Sequence, residues 1–129
     1  MNKRQIRKEL ENCFSDVDYH NKLPDELLQI ILKTGKEASF LKLLIKRIKI
    51  LRKYNTEAVT LGSSYKKLKE APNFWRFAMR IENINLRIIY TFNKNGRIMS
   101  LHAFFEKSGK NKTDYSNVVK IAKKRLKEI

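Results

Sequence analysis

The sequence predicts an α+β fold in which two N-terminal helices pack on a small antiparallel β-meander that a C-terminal helix closes. Three observations predict it. Apolar residues recur at helical spacing in the first half, alternate with polar residues between residues 74 and 106, and return to helical spacing near the C-terminus. This order is typical of helices packed against one face of an antiparallel sheet. With 129 residues, we expect a single domain over residues 1–129.

Two helices are predicted before residue 55, preceded by a charged helix over residues 3–12. Residues 13–21 show no clear period, and no element is assigned to them. The stretch LPDE at residues 23–26 begins the first of the two, because proline fits the first turn and acids there complement the helix dipole. Thr34-Gly35 ends it, and the second begins near Glu37. The outer side of this second helix carries a row of lysines, which is either a solvated face or a surface that follows phosphates. The row is Lys42, Lys46, Lys49 and Lys53.

Three strands are predicted at about residues 74–82, 86–93 and 97–106. Successive side chains of a strand point to opposite faces, so one face is apolar and the other presents arginines to solvent. Guanidinium groups match phosphate oxygens in charge and geometry. Asn95-Gly96 predicts a hairpin turn with positive φ at both residues. On the first strand, Trp75, Phe77, Met79 and Ile81 lie on one side, and Phe74, Arg76, Ala78 and Arg80 lie on the other.

The last predicted helix follows a cap at Thr113 and Asp114. Its apolar residues are expected to face the core, and its lysines are expected to face solvent. The inward set is Tyr115, Val118, Val119, Ala122 and Leu126, and the outward set is Lys120, Lys123, Lys124 and Lys127.

The charge of the chain limits its partners. There are 29 basic and 13 acidic residues, for a formal charge of +16. Residues 1–60 hold 13 of the basic and 8 of the acidic residues, so the half with the arginine-bearing strands carries most of the excess. Such a surface favours nucleic acid or an acidic protein, and anionic lipid less.

Cysteine and histidine usage argues against a metal site. Cys13 is the only cysteine, and His20 and His102 are the only histidines, so no zinc cluster or internal disulfide is expected. We therefore expect no metal-dependent mechanism and no cofactor. No apolar run has the length of a signal peptide or of a membrane span, which predicts a cytoplasmic protein without a membrane partner.

The order of short motifs resembles the HigB-like branch of the RelE toxin superfamily, including its phage-derived members. In that branch a K-x-L element precedes a strand ending in L-R, and Y-R-x-x-Y, L-H-x-F-x-K-K and a closing helix follow. The resemblance covers about residues 25–127. The matching stretches are KKLKE (66–70), FWRFAMRI (74–81), LRIIYTF (86–92) and LHAFFEKSGK (101–110).

The resemblance implies a type II toxin that cleaves messenger RNA on the ribosome as a metal-independent endoribonuclease. It also implies an antitoxin partner from the same operon, of the helix-turn-helix kind. Two alternatives stay open. One is a toxin of the same fold that acts without nuclease activity by binding a protein such as gyrase, and the other is a basic nucleic-acid-binding module.

Arginines are the first candidates for the site. In cleavage by a ribose 2′-hydroxyl, arginine can stabilise charge on the phosphate but cannot act as a base. Arg80 and Arg87 are predicted to do so, with Arg76 binding RNA beside them. The alternatives are a solvated sheet face for Arg76 and Arg80, and an ion pair with Glu82 or Glu106 for Arg87.

Lysines and one histidine complete the candidate set. Lys69 and Lys110 are predicted to bind RNA, and Lys107 to engage a flanking phosphate or the leaving group. His102 is a candidate base because its ordinary pKa lies near neutrality. It could equally be a hydrogen-bonded core residue, and whether it shares a face with the arginines depends on strand register.

Overall fold

A computed structural model describes residues 1–107 and 112–129 of the chain. Over these residues the elements are α1 (Lys3–Cys13), β1 (Asp18–Tyr19), α2 (Leu23–Thr34), α3 (Glu37–Tyr54), a 3-10 helix (Asn55–Leu61), β2 (Tyr65–Lys67), β3 (Trp75–Ile81), β4 (Ile84–Phe92), β5 (Ile98–Phe105) and α4 (Tyr115–Lys127). The predicted α+β class is confirmed, and so are the three long strands to within two residues. None of the helices in the described residues combines the length and apolar composition that crossing a bilayer requires.

The sheet is mixed and has five strands in the order β1-β5-β4-β3-β2. Strands β2 to β5 are antiparallel, whereas β1 pairs in parallel with β5 through Asp18 and Tyr19. The predicted meander of β3, β4 and β5 is antiparallel, but the sheet extends beyond it on both sides: β2 joins one edge, and β1, in a stretch for which the sequence predicts no element, joins the other in parallel. Strands of two and three residues are too short to show a period of two, so β1 and β2 carry no pattern in the sequence.

The helix ends and turns follow the local sequence closely, with one exception. Helix α2 begins with Pro24 in its first turn and ends at Gly35, which has φ +68°. Asp114 caps α4 by accepting a hydrogen bond from the amide of Ser116. In the β4–β5 turn only Gly96 has positive φ, so the expectation of positive φ at Asn95 was wrong. The Asn93 side chain accepts hydrogen bonds from the Asn95 and Arg97 amides and stabilises this turn instead.

Helices α1, α2 and α3 pack on one face of the sheet and form the main core with it. Phe77 and Met79 of β3 and Ile88 of β4 are fully buried there. Each helix contributes one apolar stripe to this core, so its apolar residues recur at helical spacing in the sequence. The helical residues of this core include Ile6, Leu10, Leu27, Ile31, Phe40, Leu44, Ile48 and Leu51.

Helix α4 packs on the opposite face, chiefly against β5, so the expectation that all helices lie on one face was wrong. Its Val118, Val119 and Ala122 form a second apolar cluster with residues of β4, β5 and the β2–β3 loop. The apolar side chains that this second face carries, such as Ile89 and Phe104, are buried by this contact. The lysines of α4 point outward as predicted, whereas Leu126 near its C-terminal end is exposed, so the expectation that it faces the core was wrong.

Candidate functional site

Strand register brings three arginines together on the face that α4 only partly covers. Ala78 lies opposite Arg87, Arg76 opposite Ile89, and Arg80 opposite Asn85. Directly opposed residues share a face, so Arg76 and Arg80 flank Ala78 along β3 while Arg87 is diagonal to both. Diagonal neighbours of this kind are roughly 7–8 Å apart. We call Arg76, Arg80 and Arg87 the arginine triangle; the short side chain of Ala78 leaves space at its centre.

The three guanidinium groups differ in exposure. Arg80 is exposed, the Arg87 side chain is 18% exposed, and Arg76 is only 5% exposed. The expectation that Arg76 faces solvent was wrong, because the chain at residues 63–64 lies within reach of it. Arg76 Nη1 donates to the Ser63 carbonyl at 2.9 Å and to the Ser64 carbonyl at 3.3 Å. Arg80 keeps the exposure that the sequence predicted.

Charge repulsion acts within the arginine triangle. Burial lowers the pKa of Arg76, and the positive charge of Arg87 lowers it further. The two groups are thus close enough to interact, although a guanidinium stays protonated at neutral pH. A bound anion would relieve this repulsion, so the arrangement favours binding of a phosphate-like group.

Arg87 is held mainly by a tyrosine. Its Nη1 donates to the Tyr115 hydroxyl at 2.7 Å, and the Glu106 carboxylate lies 3.9 Å away. Glu82, the other predicted partner, pairs with Lys36 instead. Burial raises the pKa of Tyr115, and the neighbouring Glu106 carboxylate raises it further, so the phenol keeps its proton. Sequence reasoning placed Tyr115 in the core and missed this contact, since nothing local distinguishes it from a packing residue.

His102 lies on the same face, opposite Ile89, which answers the question of register. It is only 8% exposed and its ring stacks near Phe104 at 5.8 Å. Its Nδ1 lies 3.0 Å from Glu26 Oε1. The description as a hydrogen-bonded core residue therefore fits, and His102 is not part of the arginine triangle.

Glu26 connects three elements around this histidine, and no sequence pattern predicted this role. It accepts two hydrogen bonds from Arg125 of α4 at 2.8 Å and one from the Ala103 amide at 2.8 Å. Burial alone would raise the pKa of Glu26, but the hydrogen bonds from His102, Arg125 and Ala103 outweigh it and lower the pKa to about 2. The carboxylate thus gives the Ala103 amide of β5 a hydrogen-bond acceptor and attaches both α2 and α4 to this strand.

The candidate lysines are distributed unevenly. Lys69 is exposed on the β2–β3 loop, and no hydrogen bond or ion pair in the described residues ties it to the arginine triangle. Lys107 is exposed after β5 and, with Glu106 and Tyr115, lines a cleft of about 590 Å³. Lys110 lies outside the described residues. Lys66, which was not predicted, is exposed opposite Arg76 and extends the positive surface to β2.

The site therefore combines fixed positive charge with a phenol and a carboxylate. These groups can bind a phosphodiester and donate or accept a proton beside it. In residues 1–107 and 112–129 no group of three or more metal-ligating side chains occurs.

No protein-family model matches the chain, and comparisons with curated proteins and with solved structures also find no match. Any assignment of function therefore rests on the arginine triangle and its neighbours, together with the motif order.

Proposed function

We propose that the protein is a HigB-like toxin of the RelE superfamily that cleaves messenger RNA on the ribosome. The observation that carries the proposal is the arginine triangle around Ala78. The motif order in the sequence supplies the family, and the antitoxin partner belongs to the same proposal. A formal charge of +16 suits rapid association with both RNA and an acidic partner.

The arginine triangle is suited to the transition state of this reaction. When a ribose 2′-oxygen attacks the adjacent phosphorus, negative charge grows on the non-bridging phosphate oxygens. Positive groups on one face of the sheet stabilise this developing charge more than they stabilise the substrate before reaction, and this difference lowers the barrier. Arg80 and Arg87 contact the phosphate in this proposal. Arg76 donates to the Ser63 and Ser64 carbonyls and contributes its positive charge without contacting the phosphate.

Two groups beside Arg87 carry the proton transfers. Glu106 takes the 2′ proton, and Tyr115, whose raised pKa keeps it protonated, gives its proton to the leaving 5′-oxygen. The P–O5′ bond breaks as the P–O2′ bond forms, which leaves a 2′,3′-cyclic phosphate and a 5′-hydroxyl. The geometry favours Glu106 over His102 as the base, because the imidazole is buried and bound to Glu26.

Induced expression tests the proposal. The wild-type chain should arrest growth and should cleave messenger RNA only when ribosomes translate it. Arg80→Ala and Arg87→Ala should abolish both effects, since each removes charge at the phosphate. Arg97→Ala is the matched control, because Arg97 is exposed and pairs with Asp18 at the far hairpin. Arrest by the Arg80 and Arg87 variants at the wild-type level would contradict the proposal.

The second candidate is a basic nucleic-acid-binding module. Burial of His102 favours it, since the one imidazole on this face is not open to a substrate. Such a module would bind RNA with a steep dependence on salt but would neither cleave it nor arrest growth. Tyr115→Phe separates the two functions: it should lower cleavage by about 10²-fold or more while leaving RNA affinity unchanged if the phenol is a general acid.

A further inference from the structure

The outer face of α3 carries a row of positive charge. Its residues at positions 42, 46, 49 and 53 are all lysines, and all four are exposed. The spacing of four, three and four residues keeps them on one side of the helix, over a length of about 16 Å. We call Lys42, Lys46, Lys49 and Lys53 the α3 lysine row.

The α3 lysine row differs from the charged surface of α1. On α1 the cations are mixed with acids, and Arg7 pairs with Glu11 and with Asp25 of α2. The only acid of α3 is Glu37, in its first turn. In the part of the chain that the structure describes, no ion pair includes a lysine of the row. Like charges three and four residues apart destabilise a helix, so the row carries a cost that a polyanionic partner would offset.

We infer that the α3 lysine row is a second nucleic-acid contact that binds the phosphate backbone of a double-stranded RNA segment. Double-stranded DNA carries about one charge per 1.7 Å of its axis when both strands are counted, and an RNA duplex is similarly dense in charge, so a straight row of this length lies within reach of several phosphates. Lysine heads on flexible stems act as point charges that follow such a backbone without reading bases. The inference rests on the proposed function only for the choice of RNA as the nucleic acid.

The two contacts lie on opposite sides of the molecule. Helix α3 buries Phe40, Leu44 and Ile48 against the face that holds Phe77 and Met79, whereas the arginine triangle lies on the other face. Both contacts can thus be occupied together, one by a strand to be cleaved and the other by a duplex. A membrane is a poorer fit for the row, because an interfacial helix inserts its apolar face and that of α3 is occupied by the core.

Binding to a blunt 20-base-pair RNA duplex, measured by fluorescence anisotropy over a series of KCl concentrations, tests the inference. The row variant changes all four lysines to glutamine. The control variant, Lys3→Gln with Lys22→Gln, Lys94→Gln and Lys127→Gln, removes the same number of exposed charges from scattered positions. The row variant should reduce the slope of log affinity against log salt by roughly 3 to 4, and affinity near 0.1 M KCl by about tenfold or more. The control should change the slope by less than about 1.

Equal losses in the two variants, or no loss in the row variant, would overturn the inference. The row variant is also measured against polyglutamate and phosphatidylserine vesicles. If it weakens binding to either of these as strongly as it weakens binding to the RNA duplex, the assignment to nucleic acid is overturned. The outcome is separate from that of the proposed function. Arg87→Ala should retain duplex binding, so a non-toxic protein whose duplex affinity depends on the row contradicts only the proposed function. A toxic protein whose duplex affinity ignores the row contradicts only the inference.

Discussion

The two faces of the central sheet come from the same strands, yet one is apolar and the other mixes charged with apolar side chains. The face toward α1, α2 and α3 presents Phe77, Met79 and Ile88, all fully buried. The face toward α4 presents Arg76 and Arg87 in rows that also contain Ile89, His102 and Phe104. Three helices seal the first face, whereas α4 covers mainly β5 on the second. Charged side chains persist on the second face because carbonyls, a phenol or water remain available to them there.

The largest expected effect on stability comes from removing a buried side chain from the face that α1, α2 and α3 cover. Phe77→Ala removes a fully buried ring and should lower the free energy of unfolding by about 3–5 kcal/mol. Phe104→Ala, on the partly open face, should cost less, because its surroundings can relax and admit water. Urea denaturation followed by circular dichroism compares the two. A larger loss for Phe104→Ala would show that α4 seals its face as well as the other helices seal theirs.

The next effect concerns the carboxylate that attaches α4 to the sheet edge. Glu26→Gln should lower the free energy of unfolding by about 2–3 kcal/mol, since it leaves the guanidinium of Arg125 without its charge partner. The folded pKa of Glu26 is about 2, below its ordinary 4.5, so its contribution is complete above about pH 4.5 and disappears as pH falls toward 2. Glu57→Gln, at an exposed position, is the control. If the free energies of unfolding of the wild type and of Glu26→Gln decline in parallel between pH 4.5 and 2, this role is contradicted.

A substitution at the centre of the arginine triangle tests whether an anion binds there. Ala78→Glu places a carboxylate among the three guanidinium groups and should weaken binding of single-stranded RNA by about tenfold, or about 1.4 kcal/mol. Ala78→Gln has almost the same size without the charge and should retain most of the affinity. Anisotropy with a short single-stranded RNA measures both. Equal affinities for the two variants would show that RNA does not enter the arginine triangle.

The smallest effect separates two arginines of the arginine triangle by stability alone. Arg80→Ala should change the free energy of unfolding by no more than about 0.5 kcal/mol, because the side chain is exposed. Arg87→Ala should cost about 1 kcal/mol, since it removes the hydrogen bond to the Tyr115 hydroxyl. Thermal unfolding of the purified variants checks this order. The reverse order would mean that Arg80 has a structural partner.

Sequence reasoning succeeded wherever a pattern is local. The alternation from Trp75 to Ile81 predicted which β3 side chains share a face, and Pro24 and Gly35 predicted the ends of α2. Ranges for α3 and α4 followed from their apolar stripes. It failed for β1 and β2, whose few residues are held by their neighbours in the sheet and not by a period of their own.

The candidate site was predictable in its charges but not in its arrangement. Arg80 and Arg87 were predicted from the sequence as candidates, and their diagonal placement around Ala78 is set by a two-residue turn between β3 and β4. Tyr115 and Glu26 were not identified. Each acts on a residue more than 25 positions away, Arg87 in one case and His102 in the other, and no local signal reports such a contact.

The amino-acid sequence by itself determined the α+β class, the two-sided character of β3 and the excess of positive charge, because propensity, periodicity and composition act over a few residues. Only the tertiary structure decided that α4 covers the second face and that Arg76 is buried there. It also decided that Arg87 meets Tyr115. The apolar stripe of a helix fits either side of a sheet equally well, and the choice is made by the packing of the whole chain, which brings distant residues into contact.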